Sequence, residues 1–431
     1  MHIIKIVLMR AMLIRWSVAL KYWICLCQKT FQTFGISSFL CLIGAAQAQA
    51  ESAGIQRLIS DLASCHPQLL AAASKVESAK VAIDETKSSR LPTFSVSTGS
   101  FLVDNGSEDT QTSLMATMPV ITFGRQEARE SISSAELQLS AKEYSKTVAD
   151  HVEGLIDAWG RRDAIRQRLD IYDQSLSEKQ KFVDIIRKRA DAGISSDADR
   201  RDAKSEYVSD VTQTENLRLQ LLDVEAEITL NSCENAQIER VVWENLPKEA
   251  SELNPNDHPD FGVLNSQLNV AELKVRLTEV NDYPSLDLEA KTTLNSGQDT
   301  TSRIGLSLNY EYKTFGRGRS TSIEKANLRV VELKNSLRFL TIDVEQELVA
   351  NLKRIAQIKE QVLPAIQNEY LNYEDSLASS RRRYDAGRIS VREVLSDINS
   401  VKQAKLDLLE SQQKLSSLYN KIAYSLGVYD K

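Results

Sequence analysis

Histidine is scarce in this sequence: four residues, His2, His66, His151 and His258, spread over 431 positions. That scatter builds no metal site, and no cysteine stands at a ligand spacing. His66 and His258 each precede a proline, which suits a helix start better than a ligand. Also missing are a nucleophile paired with a base, a working pair of carboxylates and a phosphate-cradling loop, so neither catalysis nor a cofactor is expected. Cysteine is rare, with five in all. Cys25, Cys27 and Cys41 fall in the first fifty residues, leaving Cys65 and Cys233, which in an oxidising compartment form either a disulfide or two separate buried thiols.

Acidic residues are absent from the first fifty positions, which carry five basic ones, Lys5, Arg10, Arg15, Lys21 and Lys29. This stretch ends in FGISSFLCLIGAA and then AQAQA, small residues that suit a secretory cleavage site after Ala48 or Ala50, so residues 1–50 read as a signal peptide. Its apolar run is too short for a membrane anchor. The basic leader is long, and translation is expected to begin downstream, at Met9 or Met12. Ser38-Phe39-Leu40 lacks the small residue of a lipoprotein signal before Cys41, so no lipid anchor is expected. Without the leader 48 Lys and Arg face 59 Asp and Glu, a net charge of −11, which removes the electrostatic case for binding nucleic acid.

What is present centres on Tyr283 to Arg317, YPSLDLEAKTTLNSGQDTTSRIGLSLNYEYKTFGR. Leu286, Leu288 and Ala290 share one parity and Asp287, Glu289 and Lys291 the other. Past the turn, Ile304, Leu306, Leu308, Tyr310 and Tyr312 alternate with Arg303, Gly305, Ser307, Asn309, Glu311 and Lys313. Strand side chains point alternately to opposite faces, so residues 284–314 form a hairpin with one apolar and one charged face. Each arm of about ten residues matches a tilted strand crossing a bilayer. A half-buried hairpin in a soluble sheet carries the same pattern.

The stretch has an earlier copy. His66-Pro67 precedes His258-Pro259, Leu91-Pro92 precedes Tyr283-Pro284, and Thr122-Phe123-Gly124-Arg125 precedes Thr314-Phe315-Gly316-Arg317, each by 192 residues. Asp191-Ala192-Gly193 recurs at 385–387 with an offset of 194. One shared offset at three landmarks marks an internal duplication. The first hairpin, 92–123, alternates less cleanly, though Leu114, Ala116, Met118 and Val120 share a face.

Proline is also absent from Arg125 to Arg189, where Val148, Val152, Leu155, Trp159, Ile165, Leu169, Tyr172 and Leu176 recur at helical spacing. That predicts a helix of about 65 residues, about 95 Å long. Asp191-Ala192-Gly193 ends it, and a return helix follows from about Ser196 to Asn231. Ala326, Val330, Leu333, Leu337, Leu340, Val344 and Leu348 repeat the pattern until Pro364 interrupts it; Asp385-Ala386-Gly387 then turns the chain into a last helix ending near Leu426. The first repeat thus covers 51–232 and the second 258–431, with 233–257 as a connector. Four strands cannot close a barrel, and open edges are not tolerated in lipid, so strands that enter a membrane must be shared among several chains. The alternative is a periplasmic coiled-coil scaffold with soluble hairpins.

In this order, the HPQLLAAASKVESAKVAIDETKSSRLP entry helix, the TFGR after each hairpin, the Asp-Ala-Gly turns and the two-fold repeat resemble the TolC-like outer-membrane efflux proteins over essentially the whole mature chain. The resemblance implies a mainly α-helical chain with two transmembrane β-hairpins, assembled as a homotrimer. Four strands per chain would build a 12-stranded outer-membrane barrel on a long periplasmic α-helical barrel. It implies an exit duct working with a periplasmic adaptor and an inner-membrane ABC or proton-driven transporter, for efflux of small compounds or for type I protein secretion. The helical turns, Asp191, Gly193 and Ile194 in one and Asp385 and Gly387 in the other, would contact the adaptor. Aligned on Gly387, Tyr384 falls on the family's gating tyrosine and Glu393 on an acidic ring of the pore, and in the first turn Asp199 falls on a partner carboxylate. A second acidic position falls on Ser396, with Asp397 adjacent, and the gating arginine falls on Ile389, with Arg388 next to it; both depart from the family's pattern. Three symmetric copies of Glu393 would favour cations at the constriction.

Overall fold

The computed structural model describes residues 56–102, 108–233, 255–295, 300–310 and 317–429. The connector residues 234–254 and the second Thr314-Phe315-Gly316 therefore lie outside the described residues, as does Tyr312. Residues 56–65 are helical. Next come α1 (Pro67–Ser88), β1 (Thr93–Leu102), β2 (Glu108–Ile121), α2 (Arg125–Asp191) and α3 (Asp197–Asn231). The second series is α4 (Pro259–Asn281), β3 (Ser285–Asn295), β4 (Thr301–Asn309), α5 (Arg317–Gln357), α6 (Leu363–Asp385) and α7 (Val391–Ser425).

The two series match element by element. α1 and α4 start from His66 and His258 in extended conformation, each followed by proline at the first helical position, where a missing N–H costs nothing. His258 adds a side-chain cap, its Nδ1 accepting from the Asp260 N–H at 3.2 Å. α2 is 67 residues long, about 100 Å. Its counterpart is divided: a π-helical turn, Ile358–Val362, lies between α5 and α6. Pro364 does not end this helix. Its ring would collide with the carbonyl four residues back, which falls within the wider π turn. The two residues gained between the repeats also fall between Arg317 and Asp385, the stretch that carries this turn.

The strands form one antiparallel sheet in chain order, β1-β2-β3-β4. Its register aligns the apolar parity across all four strands: Phe94, Ala116, Ala290 and Ile304 form one row, and Met118, Leu288 and Leu306 the next. Pro119 stands in an interior strand because the ladder breaks beside it, with a register shift between Pro119 and Ile121. Consequently Ile121, not Val120, pairs with Leu286 in the row that also holds Leu308. Among the described residues nothing covers the apolar face: Phe94, Val96, Ile304, Leu306 and Leu308 are all exposed, Ile304 at 80 %. A face of this size bare to water is unstable, and its natural solvent is another apolar medium.

The helices bury their own seams. Ile165 of α2 packs with Leu217 and Val224 of α3; Val344, Leu348 and Ile355 of α5 pack with Leu418 and Ile422 of α7; Val330 and Leu333 of α5 pack with Ala271 of α4. Each such Val, Leu or Ile side chain contributes roughly 1.5–3 kcal/mol when withdrawn from water. Cys65, at the end of the first helical segment, and Cys233, just beyond α3, are joined as a disulfide with Cα atoms 6.3 Å apart. Among the described residues no helix is long and apolar enough to cross a membrane.

Candidate functional site

Two places combine chemistry with position: the junction between sheet and helices, and the pair of helical turns at the other ends of the long helices. At the junction Arg125, the last residue of the first Thr-Phe-Gly-Arg, aims Nη2 at the carbonyls of Asn281 (3.0 Å) and Tyr283 (2.6 Å). This arginine of the first repeat fixes the point where α4 of the second repeat turns into β3. Phe123 takes a positive φ of 47°, rare for a bulky residue, in the turn that redirects the chain from β2 into α2. Arg90 holds Glu130 with two hydrogen bonds, at 2.6 and 2.9 Å, tying the exit of α1 to α2.

The turns are built twice on one plan. α2 ends when Gly193 enters the left-handed region at φ 71°, the Gly193 N–H donating to Ala190 O and the Ile194 N–H to Arg189 O. Gly387 repeats this after α6, again at φ 71°, with its N–H on Tyr384 O and the Arg388 N–H on Arg383 O. A side chain with a Cβ is strained in that conformation, which is why glycine occupies both positions. Ser196 then caps α3 and Ser390 caps α7. Asp199 and Glu393 occupy the same place in these caps: each N–H donates to the serine Oγ, and each carboxylate accepts from that serine. Hydrogen bonds from Ser196 lower the Asp199 carboxyl below the usual carboxylate range.

The other predicted residues are dispersed around this frame. Tyr384 is buried at 7 % exposure among Phe182, Ile186, Ala203, Val391, Leu395 and Ile398. Its ring lies 5.1 Å from that of Phe182, and the Arg189 guanidinium sits 4.6 Å from its centre. Arg388, Glu393, Asp191, Asp385 and Ile194 are exposed. Among the described residues no hydrogen bond or ion pair joins any two of Tyr384, Asp199, Arg388 and Glu393. What joins the two turns is different: Arg189 to Asp385 at 3.3 Å, Arg392 to Asp202 at 2.9 Å and Arg381 to Glu178 at 2.9 Å, around the shared apolar cluster. Exposed pairs of this kind contribute about 0–1 kcal/mol each, so the cluster dominates the joint.

Sequence reading missed a buried ionic cluster farther along the same helices. Asp210 of α3 accepts from Ser175 Oγ (2.8 Å) and pairs with Lys179 Nζ of α2 (2.9 Å) and Lys402 Nζ of α7 (2.5 Å). The Lys179 side chain is 0 % exposed and that of Asp210 4 %. Burial alone would push the Asp210 carboxyl up, but the bonds from Lys402, Lys179 and Ser175 outweigh it and hold the group below its ordinary value. Glu206 extends the cluster to Asn399 at 2.8 Å. A signal was present: Ser175, Lys179, Phe182 and Ile186 follow the four-three-four spacing of a buried seam, and Lys179 is the charge within it.

Among the described residues no group of three or more His, Cys, Asp or Glu side chains could hold a metal ion. The chain shares its fold with solved outer membrane proteins of low identity. The Vibrio cholerae outer membrane protein VceC is 15 % identical, covering 87 % of this chain and 96 % of its own, with a TM-score of 0.73. The Campylobacter jejuni CmeC outer membrane channel is 15 % identical, covering 87 % and 86 %, with a TM-score of 0.74. The Neisseria gonorrhoeae MtrE outer membrane channel, in its open state, is 16 % identical, covering 86 % and 88 %, with a TM-score of 0.68. No curated protein matches the chain at a significant level. The sequence profile described as outer membrane efflux protein matches residues 58–231 and 253–428, one block per repeat. With that match added to a four-stranded sheet bare on its apolar face and a duplicated long-helix hairpin, the chain belongs to the outer membrane efflux protein family.

Proposed function

We propose that three copies of this chain form an exit duct: twelve strands, four per copy, close one barrel in the outer membrane, and the long helices close a second tube in the periplasm. The observation that carries this reading is the sheet. It has an uncovered apolar face, and β1 and β4, of 10 and 9 residues, leave their outer edges unpaired among the described residues. In lipid each unpaired backbone group costs several kcal/mol, so an edge with about five of them costs on the order of tens of kcal/mol. Joining β4 of one copy to β1 of the next removes both edges, and three copies give a barrel within the known range of strand numbers. The polar parity then faces a water-filled lumen.

Family membership makes this an outer membrane efflux protein. The finer roles are the proposal. A periplasmic adaptor engages the turns at Asp191, Gly193 and Ile194 and at Asp385 and Gly387, and an inner-membrane ABC or proton-driven transporter delivers cargo, either small molecules or a protein in type I secretion. Tyr384, Asp199, Arg388 and Glu393 govern opening at these turns. The MtrE outer membrane channel, which shares this fold, was solved in an open state. The chain supplies a path and no chemistry of its own.

Planar bilayer recording tests this. Purified protein is expected to give discrete single-channel steps; membranes that stay silent at every protein concentration would remove the duct.

A further inference from the structure

Apart from Glu108 and Asp109 at the start of β2, the charge of the four strands lies on β3 and β4; residues 93–102 and 110–121 contribute none. Lys291 and Arg303 are register partners, directly opposite each other on the polar face, with Met115 as the neighbour on β2. Two like charges so placed repel across about 5 Å between Cβ atoms, a destabilising arrangement unless something neutralises it. The flanking acids bond to neutral partners and not to this pair: Glu289 accepts from Ser307 Oγ at 2.7 Å, and Asp287 accepts from Asn309 Nδ2 at 2.8 Å. Lys291 and Arg303 make no ion pair or hydrogen bond among the described residues. Glu289 lies one rung away, about 7 Å along the strand, with Gly305 opposite it.

We propose that Lys291 and Arg303 form an anion-binding site, repeated three times as a collar of six cations inside the barrel. Its ligands are oxyanions: phosphate or carboxylate groups of a passing solute or cargo. Arginine supplies a planar fork that takes two oxygens at once, and lysine a point charge within reach of the same anion. The inference rests on the reading that the polar face lines a water-filled lumen. It adds a second selectivity element of opposite sign to the Glu393 turn, and it places the acids Asp287 and Glu289 on the helix side of the collar, where β3 begins.

The experiment is single-channel recording of the wild type and of the double variant Lys291→Gln/Arg303→Gln, with inorganic tripolyphosphate as the probe. Tripolyphosphate is expected to reduce wild-type current at concentrations about ten-fold lower than those needed for the variant, the loss of one or two charged bonds. Under a KCl gradient the variant's reversal potential is expected to shift toward cations. A conducting variant with unchanged block and unchanged reversal potential overturns the collar and leaves the duct intact. Silent wild-type membranes overturn the duct and the collar together. In detergent, at constant ionic strength, tripolyphosphate is expected to raise the melting temperature of the wild type; absence of any rise also counts against the site and does not depend on the variant folding.

Discussion

Asp210 and Lys402 stand 192 residues apart in sequence and 2.5 Å apart in the folded chain, where they join the return helices α3 and α7 of the two repeats. Lys179 of α2 completes the contact from the third side, so one buried carboxylate holds three helices. The cluster is costly to form, because three charges leave water, and costlier to break.

Asp210→Ala therefore leaves Lys402 without its carboxylate and Lys179 with only the longer contact to Glu206, at 3.4 Å. The expected loss is about 3–5 kcal/mol, visible as a lower midpoint in denaturant unfolding. Replacing the set with Asp210→Leu, Lys179→Met and Lys402→Met should recover most of it. A triple variant no better than the single one would show that the cluster does more than satisfy its own charges.

Two histidines make stability fall in mild acid. Burial pushes His258 below its ordinary value, and burial together with neighbouring His66 does the same to His151. The unfolded chain takes up protons at these groups below about pH 6.5, before the folded chain does, so stability is complete above that pH and declines toward pH 5. Thermal unfolding at pH 7.5 and 5.5 is expected to show a drop that His258→Gln reduces. Equal drops in both proteins would remove His258 from the account.

The turns should be sensitive to a single methyl group. Gly387→Ala places a Cβ at φ 71° and is expected to cost about 1–2 kcal/mol. Ser390→Ala, which removes the cap of α7, should cost about 1 kcal/mol. Hydrogen exchange localises the effect: faster exchange is expected around Tyr384 and Val391 and unchanged exchange in the α4–α5 contact of Ala271 with Val330.

Leu306 lies within the bare apolar rows, and Ser97 lies on the opposite parity. Leu306→Arg is expected to cost about 2–4 kcal/mol of membrane stability if that rung sits near the bilayer midplane, whereas Ser97→Arg should cost far less. Assembly into liposomes, followed by urea titration, distinguishes the two. Equal penalties would mean that both faces meet the same medium.

Much of this architecture is legible in the residues. Two-residue alternation at Leu286 to Ala290 marks β3, the proline-free stretch from Arg125 marks α2, and shared offsets reveal the duplication. Other features are not local. The charge of Lys179 reads as a solvated helix face until Asp210 and Lys402 arrive from distant segments. The family resemblance puts Tyr384 at a gate position, yet within one chain it packs on Phe182, 202 residues earlier. The bulge at Pro119 and the π turn before Pro364 are backbone answers to a missing N–H, which sequence signals as interruptions without saying how the chain continues.

The most direct test of the shared barrel is native mass spectrometry of protein extracted from outer membranes in detergent. The expected result is a single species of three chains that withstands carbonate washing of the membranes beforehand. A lone chain released by that wash, soluble without detergent, would contradict the account.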